Sequence, residues 1–426
     1  MLRDVGNSSI AGRSWVGCSG ALVALLAALA GCGSTLKGSP SARASSADTP
    51  ASCPETVLDT LGRVVARVYH EGISSERTAV ARRLISASAA LRDAVRRDDP
   101  VSAQAAAQSL LAGGRIVSLK VVRATRTLAD VGGPALAPVH GTLTGAGGAP
   151  IARYVTSVWS DAGFIAESDG IGQGLVALRK GGRSIGGSLA LPPGALPDAG
   201  RLSHQHVLYQ FSSFPAVAYP SGALRVYLLK PVSSTTAFCG RTSEDTLVNT
   251  LAREAGLIYA GESGRRTLPQ VSRVQSDQAL LGAVARHEPA AARKAVQALL
   301  NQHIVRLRVS AGGRLLADVG GPYVLAPVRA PLMIGGRQIG SFVLSIQDDE
   351  GYLRLTRRLL GLSVLMYMNP TNPTLVKNSL GPAPGPVPES GAYSYRGRRF
   401  RVITIHARAF PSGPLRISVL IPIPYS

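Results

Sequence analysis

The chain has 426 residues, 45% of them hydrophobic, with 46 Lys and Arg against 25 Asp and Glu and a formal net charge of +21. A charge of that size prompts a search for nucleic acid, but the basic residues are scattered, only six are Lys, and no basic stripe interleaved with aromatics forms. Attraction to an anionic lipid surface or cell wall needs no such stripe and is the reading kept.

The chain opens with a basic start, Arg3 and Arg13, and an apolar run over residues 16–30 broken only by Gly and Ser. That is the layout of a secretory signal. The run is too short for a membrane span, which wants roughly 18 or more apolar residues, and no later stretch is long and apolar enough to cross a bilayer. It ends in Leu29-Ala30-Gly31-Cys32, which resembles the lipobox of bacterial lipoproteins. The resemblance implies that residues 1–31 are removed and that Cys32 is lipidated, which places the protein on the outer face of the bacterial cytoplasmic membrane. Residues 32–52, rich in Ser, Ala and Pro, read as a flexible tether.

From residue 53 the chain is written twice. Ala129-Asp130-Val131-Gly132-Gly133-Pro134 returns as Ala317-Asp318-Val319-Gly320-Gly321-Pro322, and Cys53 with Asp59-Thr60-Leu61 returns as Cys239 with Asp245-Thr246-Leu247. Pro220-Ser221-Gly222 returns as Pro411-Ser412-Gly413. A drifting offset of this length is that of a duplicated globular domain and far exceeds a solenoid period. The copies are set at 53–230 and 239–426, with a linker at 231–238. Each holds one Cys at its opening. Cys53 and Cys239 either bond to each other, given Cα atoms within about 7 Å, or are two small buried thiols.

In the first copy, Val57, Leu58, Leu61, Val64, Val65 and Val68 recur at helical steps. An Ala-rich helix is predicted over 78–97 and another over 100–111, where Pro stands at a helix start. The period then changes. Strands are predicted over 116–122 and 151–159, then a short helix at 161–167, then strands over 174–178, 207–211 and 223–229. The second copy matches, with a helix over 289–300, strands over 303–309, 315–319 and 339–347, a helix over 348–360, and strands over 363–368, 400–406 and 415–421. Helices followed by strands read as α+β with an antiparallel sheet. Asp130 and Asp318, each before Gly-Gly, read as turn residues.

That order, carried by the strand–turn–strand of 303–321 and the returning strand Ile339-Gly340-Ser341-Phe342-Val343-Leu344-Ser345, resembles extracytoplasmic PAS-like sensors of the Cache type. The resemblance implies two tandem domains, each a helical segment packed on an antiparallel sheet of five or six strands. It also implies that any signal passes through a partner, because no second membrane helix or cytoplasmic module is present.

Searches for chemistry return little. His204 and His206 share a strand face but have no third ligand nearby, and no nucleophile elbow or phosphate loop appears. No catalytic residue, metal or cofactor is expected. The segment from Ser345 to Tyr352 is matched in the first copy by the one from Ser157 to Phe164. Its shared Ser, Asp, Gly and aromatic are read as helix capping and packing, with Asp as the cap. The variable part is read for ligand contact. A small ligand lying on the second copy's sheet beneath the small helix would touch Arg306, Ser345, Gln347, Asp348 and Tyr352, with Arg306 for a carboxylate and Asp348 or Asp349 for an amine. The expected function is a membrane-anchored, non-enzymatic protein that binds a small ligand or a signalling or transport partner. An envelope-acting enzyme and a purely structural lipoprotein are the alternatives.

Overall fold

The computed structural model describes residues 51–145, 147–261, 266–300, 303–369 and 372–425. The signal segment, Cys32 and nearly all of the tether lie outside the described residues. Among the described residues, every core cluster is built from residues between Cys53 and Tyr425.

Helix α1 (Cys53–Ser74) starts behind Ser52, whose backbone N–H donates to the Glu55 carboxylate at 2.8 Å, with Pro54 in the first turn. It buries every residue that the periodicity singled out, together with Tyr69. The single helix expected over 78–97 is two, α2 (Glu76–Ala87) and α3 (Ala89–Arg96). Ser88 breaks it: its extended backbone ends α2, and its hydroxyl accepts the Leu91 N–H to cap α3. At α4 (Pro100–Ala112) the Asp99 carboxylate accepts the N–H groups of Val101 and Ser102, each at 3.1 Å.

The strands follow in two groups. Strands β1 (Ser118–Arg123), β2 (Arg126–Gly132), β4 (Val139–Thr144) and β5 (Pro150–Ser157) form one antiparallel sheet in the order β2-β1-β5-β4, and the short β3 (Ala135–Leu136) departs from it. Then come β6 (Trp159–Ser160), α5 (Asp161–Gly172), β7 (Leu175–Lys180), β8 (Arg183–Gly187), β9 (Ala199–His204), β10 (Val207–Tyr219) and β11 (Gly222–Pro231). With β3 and β6 they make a seven-stranded sheet whose long strands lie in the order β8-β7-β11-β10-β9.

The second copy repeats this element for element. Its helices are α6 (Ser243–Gly261), α7 (Thr267–Ser276), α8 (Gln278–Ala285) and α9 (Pro289–Leu300), with Asp277 breaking α7 from α8 as Ser88 breaks α2 from α3. Strands β12 (Arg306–Ala311), β13 (Arg314–Gly320), β14 (Tyr323–Leu325), β15 (Val328–Ile334), β16 (Arg337–Ser345) and β17 (Gln347–Asp348) precede α10 (Asp349–Leu355), which runs on into a π turn, Thr356–Leu360. Strands β18 (Ser363–Met368), β19 (Thr374–Asn378), β20 (Gly391–Tyr395), β21 (Arg398–Pro411) and β22 (Gly413–Ile423) complete it, with the same two sheet orders. The protein is α+β, with two similar domains of helices on curled antiparallel sheets. Each domain divides its strands four and seven between two sheets.

The repeated phrases take their reasons from this geometry. Asp130 and Asp318 stand in strands β2 and β13 rather than in turns. Asp130 accepts from the Tyr219 hydroxyl, and Asp318 accepts from Arg306 and Arg308. Of each Gly-Gly pair only the first is conformationally demanding: Gly132 and Gly320 have φ of +93° and +137°, and a Cβ there would strike the carbonyl oxygens of Val117 and Val305.

Three layers of core hold each copy. Helices α2, α3 and α4 cover one face of the four-stranded sheet around Ile85, Leu91, Leu119 and Leu143. Helices α1 and α5 cover one face of the seven-stranded sheet around Leu58, Leu61, Phe164 and Leu228. The other face of that sheet is closed by a Pro-rich loop, residues 188–198 in the first copy and 379–390 in the second, through Leu191 and Val387. These loops are themselves a repeat, Ser188-Leu189 and Leu196-Pro197-Asp198 against Ser379-Leu380 and Val387-Pro388-Glu389, a correspondence the reading by period passes over.

The copies are bound to each other. Cys53 and Cys239 form a disulfide with Cα atoms 5.6 Å apart, so α1 and α6 set off side by side. Val64 of α1 packs in the second copy's core with Leu251 and Ala255, while Leu359 of the π turn packs in the first copy's core. The Arg358 guanidinium meets Glu71 at 3.0 Å, and Arg63 donates to the Tyr425 carbonyl at 2.5 Å. Such reciprocal packing is that of an isologous dimer written in one chain.

Candidate functional site

Where β16 ends, the chain steps from the four-stranded sheet to the seven-stranded one, and Ser345 makes the step. Its hydroxyl, 1% exposed, donates to the Leu325 carbonyl and accepts from the Gln347 N–H at 3.2 Å. Ser157 does the same with Leu136 and Trp159 in the first copy. The shared Ser is therefore a corner brace.

The next shared residues cap and pack, though the cap sits one residue earlier than expected. Asp348 accepts the Gly351 N–H at 2.7 Å, and Ser160 accepts the Gly163 N–H at 3.0 Å. Asp348, read from sequence as part of the variable ligand-facing pair, thus occupies the cap position that Ser160 holds in the first copy. The shared Gly serves that cap, since a Cβ at Gly351 would stand 3.0 Å from Asp348 Oδ1. Tyr352 is fully buried, donates to the Ala255 carbonyl of α6 at 3.0 Å and meets the Tyr259 ring edge-on, so burial pushes its phenol pKa up. It belongs to the core.

Arg306 is equally committed. Its guanidinium donates to Asp318 at 2.9 Å and to the carbonyls of Gly320 and Gly321, and lies 5.5 Å over the Phe410 ring. Burial raises the Asp318 pKa, but the hydrogen bonds from Arg306 and Arg308 more than offset that and hold it below the usual carboxylate range. Arg306 clamps the first sheet to the end of β21 and presents no free fork to a ligand.

Gln347 has no such account. It is 3% exposed, yet neither its Oε1 nor its Nε2 finds a hydrogen-bond partner. Leaving one buried polar group unsatisfied costs about 1–3 kcal/mol. Across from it on α7, Gln270 Oε1 is also buried without a partner. Both line a cleft of about 480 Å³, together with Arg266, His303, Asp348, Glu350 and Arg354. The cleft lies at α10, where the variable residues of this segment pointed, and of the five residues named from sequence it gathers Gln347 and Asp348.

Comparison of the copies sharpens this. The helix breaks at Ser88 and Asp277 align Arg77-Thr78 with Arg266-Thr267 and Ala81 with Gln270. In the first copy Trp159 occupies the position of Gln347 and Ala81, fully buried, that of Gln270, with the Arg77 guanidinium 5.0 Å over the indole. An apolar pair in one copy has become two carboxamides in the other. That exchange was open to inspection in the sequence and needed only the alignment of the helix break.

The charges around the cleft are mostly spoken for. Arg266 is paired at 2.9 Å with Glu167 of α5, Lys377 holds Glu350 at 2.5 Å and Asp349 at 3.1 Å, and one Asp348 oxygen caps α10. Arg354, exposed, has no partner among the described residues. Among the described residues, the cleft groups left without a partner include the Gln347 amide, Gln270 Oε1, the Arg354 guanidinium, one Asp348 oxygen and the exposed His303 ring. They suit a small molecule with a carboxylate and further hydrogen-bonding groups.

One buried carboxyl escaped sequence reasoning altogether. Glu254 of α6 is 1% exposed between the copies, and desolvation lifts its pKa to about 8 against the lowering pull of Lys230 and Arg253. Lys230, whose ammonium donates to the Gln173 carbonyl, is depressed by burial in turn.

No protein-family description matches the chain, and no curated protein matches it. Among solved structures, an extracellular ligand binding receptor from Desulfohalobium retbaense DSM5692 is similar over 53% of this chain and 47% of its own, at 12% identity and a TM-score of 0.24. This chain thus spans about half the length of that protein, and a likeness of that size carries no functional argument.

Proposed function

We propose that this chain is an extracytoplasmic lipoprotein, anchored through Cys32, that binds a small carboxylate-bearing ligand in the cleft of its second domain without chemically transforming it. The observation that carries the reading is the buried Gln347 carboxamide, with neither polar atom partnered, and the buried, unpartnered Gln270 Oε1, both lining one cleft. Their cost is repaid when a ligand supplies a donor and an acceptor. Arg354 offers a planar fork to the carboxylate, and the second Asp348 oxygen suits an ammonium group. The cleft acids are engaged by Lys377 and by the cap of α10, which favours binding over acid–base work. The disulfide fits an oxidising compartment, and the signal-like segment before Leu29-Ala30-Gly31-Cys32 fits export and lipidation.

The test is a thermal-shift panel of amino acids, organic acids and amines on the segment from Pro50 to Ser426, which keeps α1 with the second core it helps fill. A ligand at one hundred times its Kd stabilises by about 2.7 kcal/mol. A shift from a carboxylate-bearing compound that disappears in Gln347→Leu and Arg354→Gln supports the reading. No shift from any compound, or one that survives both substitutions, overturns it.

A further inference from the structure

We propose that the end of the molecule where the chain enters the fold docks on an anionic lipid bilayer through the hairpin formed by β20 and β21. This contact stands apart from the cleft and does not depend on lipidation.

The hairpin turns at Arg396 and Gly397, and the exposed Arg396, Arg398 and Arg399 carry no acidic partner among the described residues. Two of the three lie over aromatic rings, Arg396 at 5.4 Å from Tyr395 and Arg398 at 5.6 Å from Phe400, which leaves their charge uncompensated. Further down the same hairpin, Arg401 meets Glu244 at 2.8 Å and Asp245 at 3.3 Å in the first turn of α6. At about 3.3 Å per residue, the five residues from Arg401 to Arg396 put the tip roughly 16 Å along the strand from this contact. The start of α6 is tied to the start of α1 by Cys53–Cys239. Ala51, Glu55, Glu244 and Ile423 line one recess there, so Ala51, the first described residue, lies at this end of the fold.

Among the described residues, the acids at this end have partners. Glu244 and Asp245 hold Arg401, Asp59 holds Arg63 at 2.9 Å, and Glu55 accepts the Ser52 N–H. The first copy contributes the matching tip between β9 and β10, where the exposed Val207 and Leu208 take the places of Arg398 and Arg399. One tip is cationic and its counterpart apolar, a combination suited to headgroups above an acyl boundary.

The experiment is vesicle co-sedimentation of the segment from Pro50 to Ser426, with a Ser394→Cys label reporting contact at the hairpin. Vesicles containing phosphatidylglycerol should bind it, and the triple change Arg396→Gln, Arg398→Gln, Arg399→Gln should lower partitioning by on the order of 100-fold, taking each Arg near such a surface as roughly fivefold. Phosphatidylcholine vesicles and high salt should abolish binding. Because all three residues are exposed, an unchanged melting curve shows that the variant is folded. Equal partitioning of the triple variant and the parent, equal binding to neutral vesicles, or a hairpin label that responds only to an anionic wall polymer would each overturn the proposal.

Discussion

Replacing Gln347 by Leu removes a buried amide that has no partner and leaves the cleft wall otherwise intact. Leaving that amide buried and unsatisfied costs about 1–3 kcal/mol, so the unliganded protein without it should become more stable by that order. For a cooperative unit the size of one copy, each kcal/mol moves Tm by about 2–4 °C, and the expected rise is several degrees by scanning calorimetry of the Pro50–Ser426 segment. Ser345, two residues away and equally buried, provides the contrast. Its hydroxyl is satisfied on both sides, so Ser345→Ala should lower stability by about 1–3 kcal/mol by stranding the Leu325 carbonyl and the Gln347 N–H. The combined change Gln270→Ala with Gln347→Trp rebuilds the first copy's packing in the second and should abolish ligand binding while raising Tm. A Gln347→Leu protein less stable than its parent would refute the reasoning, because it would mean that the amide is already hydrogen-bonded in the empty cleft.

Other outcomes follow from the same geometry. Joining residues 186 apart restricts a long unfolded loop, so replacing Cys53 and Cys239 together by Ser should cost at most about 5 kcal/mol, read as a lower denaturation midpoint. Glu254 titrates near 8 in the folded chain against 4.5 for the free side chain. The native state therefore holds a proton that the unfolded state releases, and stability should fall by up to about 1.4 kcal/mol per pH unit between these values. Glu254→Gln should flatten that slope in denaturation curves, and an unchanged slope would show that the carboxyl is ionised in the fold. Asp318 is lowered by its two arginines, so its contribution is present above about pH 4 and lost as pH falls below it. Asp318→Asn should cost about 1–3 kcal/mol and leave ligand affinity unchanged; a weakened ligand would place Arg306 back at the binding site.

The duplicated architecture and the helical face of α1 could be read from residue spacing because each is a periodic, one-dimensional signal. The break at Ser88 was not, since Ser is an ordinary residue in an Ala-rich stretch and acts there only through its cap on Leu91. The step between two sheets was hidden for a related reason: Ser157 and Ser345 read as strand ends, and only the distant carbonyls of Leu136 and Leu325 reveal them as corners. Arg306 looked available because its partners, Asp318 and Phe410, are brought in by strand pairing and by a strand about one hundred residues away. Gln347 was found because it differed from Trp159, and Gln270 was missed because its counterpart Ala81 lay in a helix whose register depends on the Ser88 break.

A dimer of identical subunits changes its two sites together, since one gene writes both. The bond between Cys53 and Cys239 and the shared packing of α1 with α6 keep a dimer's arrangement while giving each half its own stretch of gene. Trp159 and Ala81 can then fill one pocket while Gln347 and Gln270 open the other, with a fixed ratio of one filled site to one open site in every molecule. Independent variation of the two halves, at constant stoichiometry, is what the covalent pairing makes available to selection.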